Sequence, residues 1–322
     1  MERANRDYAI SYGDDPWTAR AAQLLRDTFE TDCEIFFVFN GTAANALALA
    51  SCCQSYHSII CHEIAHIQND ECGAPEFFSN GTKLLGAPGA HGKLGPEAIA
   101  QLASKRTDIH YPKPRVVSLT QSTELGAVYQ LAELAAIHET TQRFDLVTQM
   151  DGARFANAAA ALGVAPKACT WQAGVDVLCF GGTKLGMANC EAVVFFNRDL
   201  AREFDYRCKQ AGQLSSKMRF LAAGWVGVLE SGAWLKHARH ANESAARLAQ
   251  RLEKEAGLGT THPVEANALF VRVPEKLLAG LRERGWLLYG FMASGAVRLM
   301  CSWRTCEADI DALLADIKEL QT

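Results

Sequence analysis

The sequence predicts an α/β fold, with a large, mostly parallel sheet sandwiched between helices and a small C-terminal α/β domain behind it. Strand-like and helix-like patterns alternate along the chain, as they do where parallel strands are joined by helical crossovers. No repeat of roughly 20–50 residues recurs, which excludes a solenoid or propeller. With 322 residues, 49% hydrophobic and 21% charged, the chain is long enough for two or three domains and too apolar for disorder.

The elements follow in order. Asp15 to Thr31 reads as a helix with Pro16 in its first turn, and Ile35 to Phe39 as a short apolar strand running into Asn40-Gly41-Thr42. The Ala- and Leu-rich run Ala43 to Cys53 is helical. Strands are legible at Ser58–Cys61, Arg115–Leu119, Leu146–Met150, Val175–Cys179 and Ala192–Phe196, with helices such as Leu94–Ser104 and Leu131–Thr140 between most of them. A long helical tract runs from Leu221 to Leu252 and bridges to a second layer. That layer has a strand at Leu269–Val273, a helix at Pro274–Arg284, strands near Trp286–Tyr289 and Val297–Ser302, and a closing helix at Glu307–Leu320. The expected division is residues 1–228 for an N-terminal arm with the large domain and 229–322 for the small one.

Charge and cysteine usage narrow the function. Lys and Arg number 32 against 36 Asp and Glu, a net charge of -4, so no basic field invites nucleic acid or an anionic membrane. The apolar runs Ala46–Ala50 and Val193–Phe196 fall far short of the ~20 residues that span a bilayer. Met1 to Tyr8 is charged and polar, without the features of a secretory signal or lipid anchor. The 11 cysteines are odd in number and show no CxxC pair, which suits reduced, mostly buried thiols in the cytoplasm.

Two motifs suggest chemistry that their context opposes. His62-Glu63-Ile64-Ala65-His66 is a formal HExxH, which on a helix would hold zinc beside a general base. It follows an apolar strand, however, and the Asn, Asp, Gly and Pro of Asn69 to Pro75 are poor material for a continuing helix. No metal ligand set is assigned. Gly89-Ala90-His91-Gly92-Lys93-Leu94 resembles a phosphate loop, but Ala87 stands at its first glycine position and Leu94 at its hydroxyl position.

Three other segments carry more. Asn40-Gly41-Thr42 ends a strand at a helix start, where backbone amides meet an anion or merely a capping side chain. Asp151-Gly152-Ala153-Arg154 follows a strand, where open α/β sheets bind ligands, though a surface turn has the same composition. Gly181-Gly182-Thr183-Lys184-Leu185-Gly186 follows the next strand and flanks one lysine with small residues, so that a planar ligand can approach and a partly buried amine loses proton affinity. Together they suit pyridoxal phosphate, which needs a lysine for its Schiff base, an acid at its ring nitrogen, a phosphate cradle and a plane over its ring. Lys184, Asp151, Gly41 with Thr42, and His66 fill those places.

With these residues in view, the chain resembles the low-specificity L-threonine aldolases of the fold-type-I pyridoxal-phosphate enzymes. The resemblance rests on Tyr12-Gly13-Asp14-Asp15, Asn40 to Asn45, Ala65-His66-Ile67 with Asp70 to Pro75, Asp151 to Arg154, the Lys184 loop and Val297-Arg298-Leu299. It implies a lyase that cleaves L-threonine or L-allo-threonine to glycine and an aldehyde, with Lys184 bound to the cofactor, Asp151 at the pyridinium and His66 stacked on the ring. It also implies that Gly41 and Thr42 hold the phosphate, and that Arg154 and Arg298 grip the substrate carboxylate. Tyr12 and the basic residues Arg207, Lys209, Lys217 and Arg219 would reach a neighbouring subunit's site in a homotetramer built as a dimer of dimers. His66, or a water it holds, is the candidate base for the β-hydroxyl.

Two departures from the family pattern stand out. Many relatives begin with a strand whose Ser-Asp pair helps to bind the carboxylate, whereas Tyr12-Gly13-Asp14-Asp15 comes soon after Met1 here; the expectation is either a start chosen late or weakened substrate binding, and the second case leaves an impaired relative. A second active-site His of many relatives is matched to Thr123 within Gln121-Ser122-Thr123-Glu124.

Overall fold

Asp15 shapes the first helix: its Oδ1 accepts from the amides of Trp17 and Thr18 at 2.9 Å each, and Pro16 opens the helical turn where no amide is needed. The computed structural model describes residues 1–291 and 295–321. The first part of the chain runs α1 (Pro16–Phe29), β1 (Glu34–Val38), α2 (Gly41–Cys52), β2 (His57–His62), α3 (His66–Asn69), α4 (Ala74–Phe78) and β3 (Lys83–Ala87). It continues through α5 (Pro96–Ser104), β4 (Lys113–Thr120), α6 (Leu131–Arg143), β5 (Val147–Gly152), α7 (Phe155–Leu162), β6 (Val177–Gly181) and β7 (Glu191–Phe195). The rest is α8 (Phe204–Gln210), α9 (Arg219–Glu230), α10 (Ala233–Ala256), β8 (Ala268–Val271), α11 (Glu275–Glu283), β9 (Tyr289–Phe291), β10 (Ala296–Met300) and α12 (Glu307–Gln321).

Among the described residues the large sheet has the strand order β1-β7-β6-β5-β4-β2-β3 and the small one β8-β10-β9. The large sheet is parallel from β3 to β6, and β7 runs against both its neighbours, β6 and β1. The central strands β5, β6 and β7 are buried at every position because both faces are covered. Met150, Leu178, Phe180 and Val194 pack into one layer with Phe29, Phe155 and Trp225, while Cys61, Val116, Cys179 and Val193 pack on the other side against α2. The small sheet has its own core, in which Leu269, Val271 and Val297 meet Leu248 and Leu252 of α10 and Leu313, Leu314 and Ile317 of α12.

The structure differs from the expected elements at several points. The edge strand β3 escapes the sequence reading because its five residues include Gly86 and alternate poorly. The long helical tract is two helices, interrupted at Ser231-Gly232, where Gly232 has φ +66°. The strand expected near Trp286–Tyr289 lies at Tyr289–Phe291, since Trp286 is turned toward α12 with its indole Nε1 donating to Asp316 Oδ2 at 2.7 Å. β6 begins at Val177 rather than Val175 because Asp176 belongs to the turn, accepting from the Thr148 amide at 2.8 Å and Asn197 Nδ2 at 3.1 Å. α2 takes in Gly41 and Thr42, which puts both in its first turn. The 11 cysteines are free, and all are buried except Cys72 and Cys306.

β1, β2, β4, β5 and β6 all point the same way, so their C-terminal ends form one edge of the sheet, the edge where such folds bind ligands. Each is followed directly by residues that carry the candidate chemistry.

Candidate active site

A cavity of about 230 Å³ opens at that edge and is bordered by Gly41, Asn45, His66, Glu71, Glu124, Asp151, Arg154 and Lys184, with Phe291 and Arg298 supplied by the small sheet. Its floor is Asp151, the penultimate residue of β5 and only 3% exposed. Oδ1 accepts from the Ala153 amide and Oδ2 from Asn45 Nδ2, both at 2.9 Å. Each oxygen thus keeps acceptor capacity toward the cavity.

His66 starts α3 and is held from behind. Its Nδ1 donates to Glu71 Oε1 at 2.8 Å, and the same oxygen accepts from Asn45 Nδ2 at 2.9 Å. The hydrogen bond to Glu71 raises the imidazole pKa, and burial raises the pKa of Glu71, so the pair retains a proton. The imidazole plane is thereby fixed at the cavity wall.

Lys184 sits on a single helical turn, Thr183–Leu185, after β6. The close approach of the preceding glycine explains its identity: a Cβ on Gly181 would collide with the Ala153 carbonyl. Glu191, across the antiparallel pair at the start of β7, accepts from the Gly182 amide at 2.6 Å and ties the loop down. Lys184 opens onto the cavity, yet the protein around its amine strips water from the charged form; desolvation first, and then the Arg154 charge, lowers its pKa. Arg154, half-buried at the cavity wall, is likewise pushed down by desolvation and by Arg298. Among the described residues neither guanidinium takes part in a salt bridge, and Arg298 lies 5.2 Å from the Phe291 ring centroid. Two such cations facing one small cavity suit a planar anionic group.

At the opposite wall α2 presents its N-terminus. The Asn40 side chain caps the Ala43 amide at 2.9 Å, which leaves the Gly41 and Thr42 amides for an acceptor from outside. A Cβ built on Gly41 would meet nothing within 4 Å, so there is open room in front of these amides. An amine with weakened proton affinity, a buried carboxylate, a fixed imidazole and an amide cradle around one cavity fit pyridoxal phosphate.

Several expected residues are placed elsewhere. Tyr12 does not border the cavity: it is 50% exposed, its amide donates to the Ser216 carbonyl at 3.1 Å, and Lys209 Nζ lies 4.7 Å from its ring centroid. Thr123 turns away, with its hydroxyl donating to the His91 carbonyl at 2.8 Å; its neighbour Glu124 is the residue of that loop that reaches the cavity. The HExxH motif is split, since His62 ends β2 and His66 begins α3. Both ring nitrogens of His62 are engaged, Nε2 donating to the Gly89 carbonyl at 3.0 Å and Nδ1 accepting from the Ile64 amide at 3.1 Å, so the pair cannot share a zinc ion. Asn45, Glu71, Glu124 and Phe291 received no role from the sequence, although the first three lie inside segments it singled out.

The fold and cavity define a fold-type-I pyridoxal-phosphate class of α/β enzyme. A profile of the Beta-eliminating lyase family matches residues 1–276. The low specificity L-threonine aldolase of Pseudomonas sp. (strain NCIMB 10558) is 59% identical over 322 residues, all of this chain and 93% of its own. That of Pseudomonas aeruginosa is 59% identical over 318 residues, covering 99% of this chain and 92% of its own. The solved threonine aldolase of Leishmania major superposes with a TM-score of 0.93 at 27% identity, covering 100% of this chain and 94% of that one. The chain therefore belongs to the low-specificity L-threonine aldolases of the beta-eliminating lyase family. No described helix is long and apolar enough to cross a membrane.

Proposed function

We propose that the protein cleaves L-threonine, L-allo-threonine and related β-hydroxy-α-amino acids to glycine and an aldehyde, with pyridoxal phosphate as cofactor. The observation that carries this reading is the convergence of Lys184, Asp151 and the Arg154–Arg298 pair on one cavity. When bound, the cofactor supplies an electron sink for the pair released as the Cα–Cβ bond breaks.

The protein's own residues do the rest. Lys184 holds the cofactor through its amine, whose lowered pKa favours the neutral, nucleophilic form. Asp151 would meet the ring nitrogen and favour its protonated form; His66 would cover the ring; the amides of Gly41 and Thr42 would hold the phosphate. Arg154 and Arg298 clamp the substrate carboxylate and so fix the rotation about Cα, which decides which bond is set to break. Tyr12 and its basic neighbours serve the site of an adjacent subunit in a homotetramer. We place the protein in the cytoplasm and divide it at residues 228 and 229.

The test is direct. Purified protein supplied with the cofactor should show a visible absorbance that borohydride abolishes, and should form glycine and acetaldehyde from L-threonine. Lys184→Ala should lose both the absorbance and the turnover while keeping the parent's circular dichroism. Borohydride-sensitive absorbance retained in that variant would refute the assignment of Lys184.

A further inference from the structure

Cleavage requires a group that accepts the β-hydroxyl proton, and the acid–base residues around the cavity are mostly committed. Asp151 is assigned above to the ring nitrogen of the cofactor, and its oxygens already accept from Asn45 and the Ala153 amide. His66 donates through Nδ1 to Glu71, and its ring is assigned above to covering the cofactor. Asp70 is exposed. Glu71 and Glu124 are the carboxyl groups at the cavity with a buried oxygen that has no partner among the described residues; Glu71 is taken up with His66 and Asn45, and Glu124 lies on the loop after β4. Its Oε1 accepts from the His66 amide at 2.9 Å and from the Thr120 hydroxyl at 2.8 Å. Its Oε2 is shut off from water and has no hydrogen-bond partner among the described residues. A buried oxygen without a donor is costly unless a ligand supplies one.

We propose that Glu124 is the catalytic residue that takes the proton of the substrate β-hydroxyl. The proposal rests on the aldolase reading above. Glu124 borders the cavity, and its terminal torsion is broad and two-fold, so that a rotation can present the unpartnered oxygen to the substrate. The carboxylate removes the hydroxyl proton, and the O–H electron pair becomes the second bond of the aldehyde C=O. The Cα–Cβ bond breaks with its pair left on Cα, and the proton held by Glu124 is returned to Cα, completing glycine. No further reactant is consumed.

The surroundings tune this group. Burial, and then the Asp151 charge, push its carboxyl up to about 7, where the acceptor form and a strong enough base coexist at neutral pH. Facing it are Cys61 of β2, Asp151 at the end of β5, Arg154 before α7 and Tyr129. Lys184 and Arg298 share the same cavity.

Glu124→Gln keeps an oxygen for the His66 amide and the Thr120 hydroxyl but cannot accept the proton. With the cofactor-loaded enzyme, kcat for L-threonine should fall by about 10²–10³-fold, KM should stay within about threefold, and the acidic limb of the kcat profile near pH 7 should vanish. Glu124→Asp should retain a titrating limb at reduced kcat. Infrared titration of the cofactor-free protein should show carboxyl bands that change near pH 7, and Glu124→Gln should lose the part of that change that belongs to Glu124 while the part from Glu191 remains. A variant with the parent's kcat and pH profile would overturn the proposal, as would a loss of kcat matched by an equal loss of cofactor affinity, which would make Glu124 only a support for His66. If the parent itself yields no glycine from L-threonine, the aldolase reading falls and this assignment falls with it.

Discussion

One amide nitrogen, Asn45 Nδ2, lies 2.9 Å from Asp151 Oδ2 and 2.9 Å from Glu71 Oε1. Asn45 therefore joins the acid on the cavity floor to the carboxylate that orients His66, and does so at a buried position, 2% exposed. Its own Oδ1 accepts from Gln149 Nε2 at 3.1 Å, and Gln149 Oε1 in turn accepts from the Ser118 hydroxyl. Polar groups of α2, β4 and β5 are thus tied into one network beneath the cavity, and such networks are worth more intact than the sum of their pairs.

Removing that bridge should weaken the cofactor site without touching the residues proposed to contact the cofactor. In Asn45→Ala, Asp151 and Glu71 each lose a donor and approach one another with less screening. A hydrogen bond to a charged group contributes about 1.5–3 kcal/mol, so cofactor affinity should fall by at least about tenfold. An absorbance titration with pyridoxal phosphate reads this. Unchanged affinity would mean that the bridge is merely structural.

The two guanidiniums should be separable from the cofactor. Arg154→Lys and Arg298→Lys keep the charge but lose the planar fork. Each should raise KM for L-threonine by about 10–100-fold, since about 1.4 kcal/mol corresponds to a factor of ten. The absorbance of the loaded enzyme should stay as in the parent. A fall in kcat alone, with KM unmoved, would argue that neither residue holds the carboxylate in the ground state.

Gly41 tests the phosphate cradle. Because an added Cβ would meet nothing within 4 Å, Gly41→Ala should fold with the parent's melting temperature. Its methyl group would stand in the room before the α2 amides, however, and cofactor affinity should drop by about tenfold, an estimate equal to the loss of one hydrogen bond of about 1.4 kcal/mol. Inorganic phosphate should compete with cofactor binding in the parent and do so less well in the variant.

The fold and part of this site are legible in the sequence for a physical reason. Asp151 and Lys184 lie just at or past the C-terminal ends of apolar strands, and small residues beside them mark a close approach, so local pattern suffices to single them out. Glu71, Asn45 and Glu124 are harder. Their significance lies in contacts that only the folded sheet creates, such as Asn45 with Asp151, 106 residues apart in sequence. In the loop after β4 the orientation of adjacent side chains follows no helix or strand period, and therefore Thr123 and Glu124 could not be told apart by position. The reversed strand β7 illustrates the same limit, because Ala192–Phe195 reads as an apolar strand in either direction.

Glu191 offers a pH test independent of catalysis. Burial raises its carboxyl from 4.5 to about 7, so the folded chain holds a proton that the unfolded chain gives up. A raised carboxyl favours folding below its unfolded value, and that contribution is lost as pH rises through the folded value, here from about 4.5 to about 7. Glu191→Gln is neutral at every pH and retains an oxygen for the Gly182 amide. Parent and variant should therefore be similarly stable near pH 4.5, with the parent losing ground as pH rises until the variant is the more stable by up to about 3 kcal/mol at pH 8. Denaturant melts of the cofactor-free proteins across that range measure the difference. A gap that does not change with pH would show that Glu191 is ionised throughout, held by the nearby Lys184 charge that opposes the burial effect.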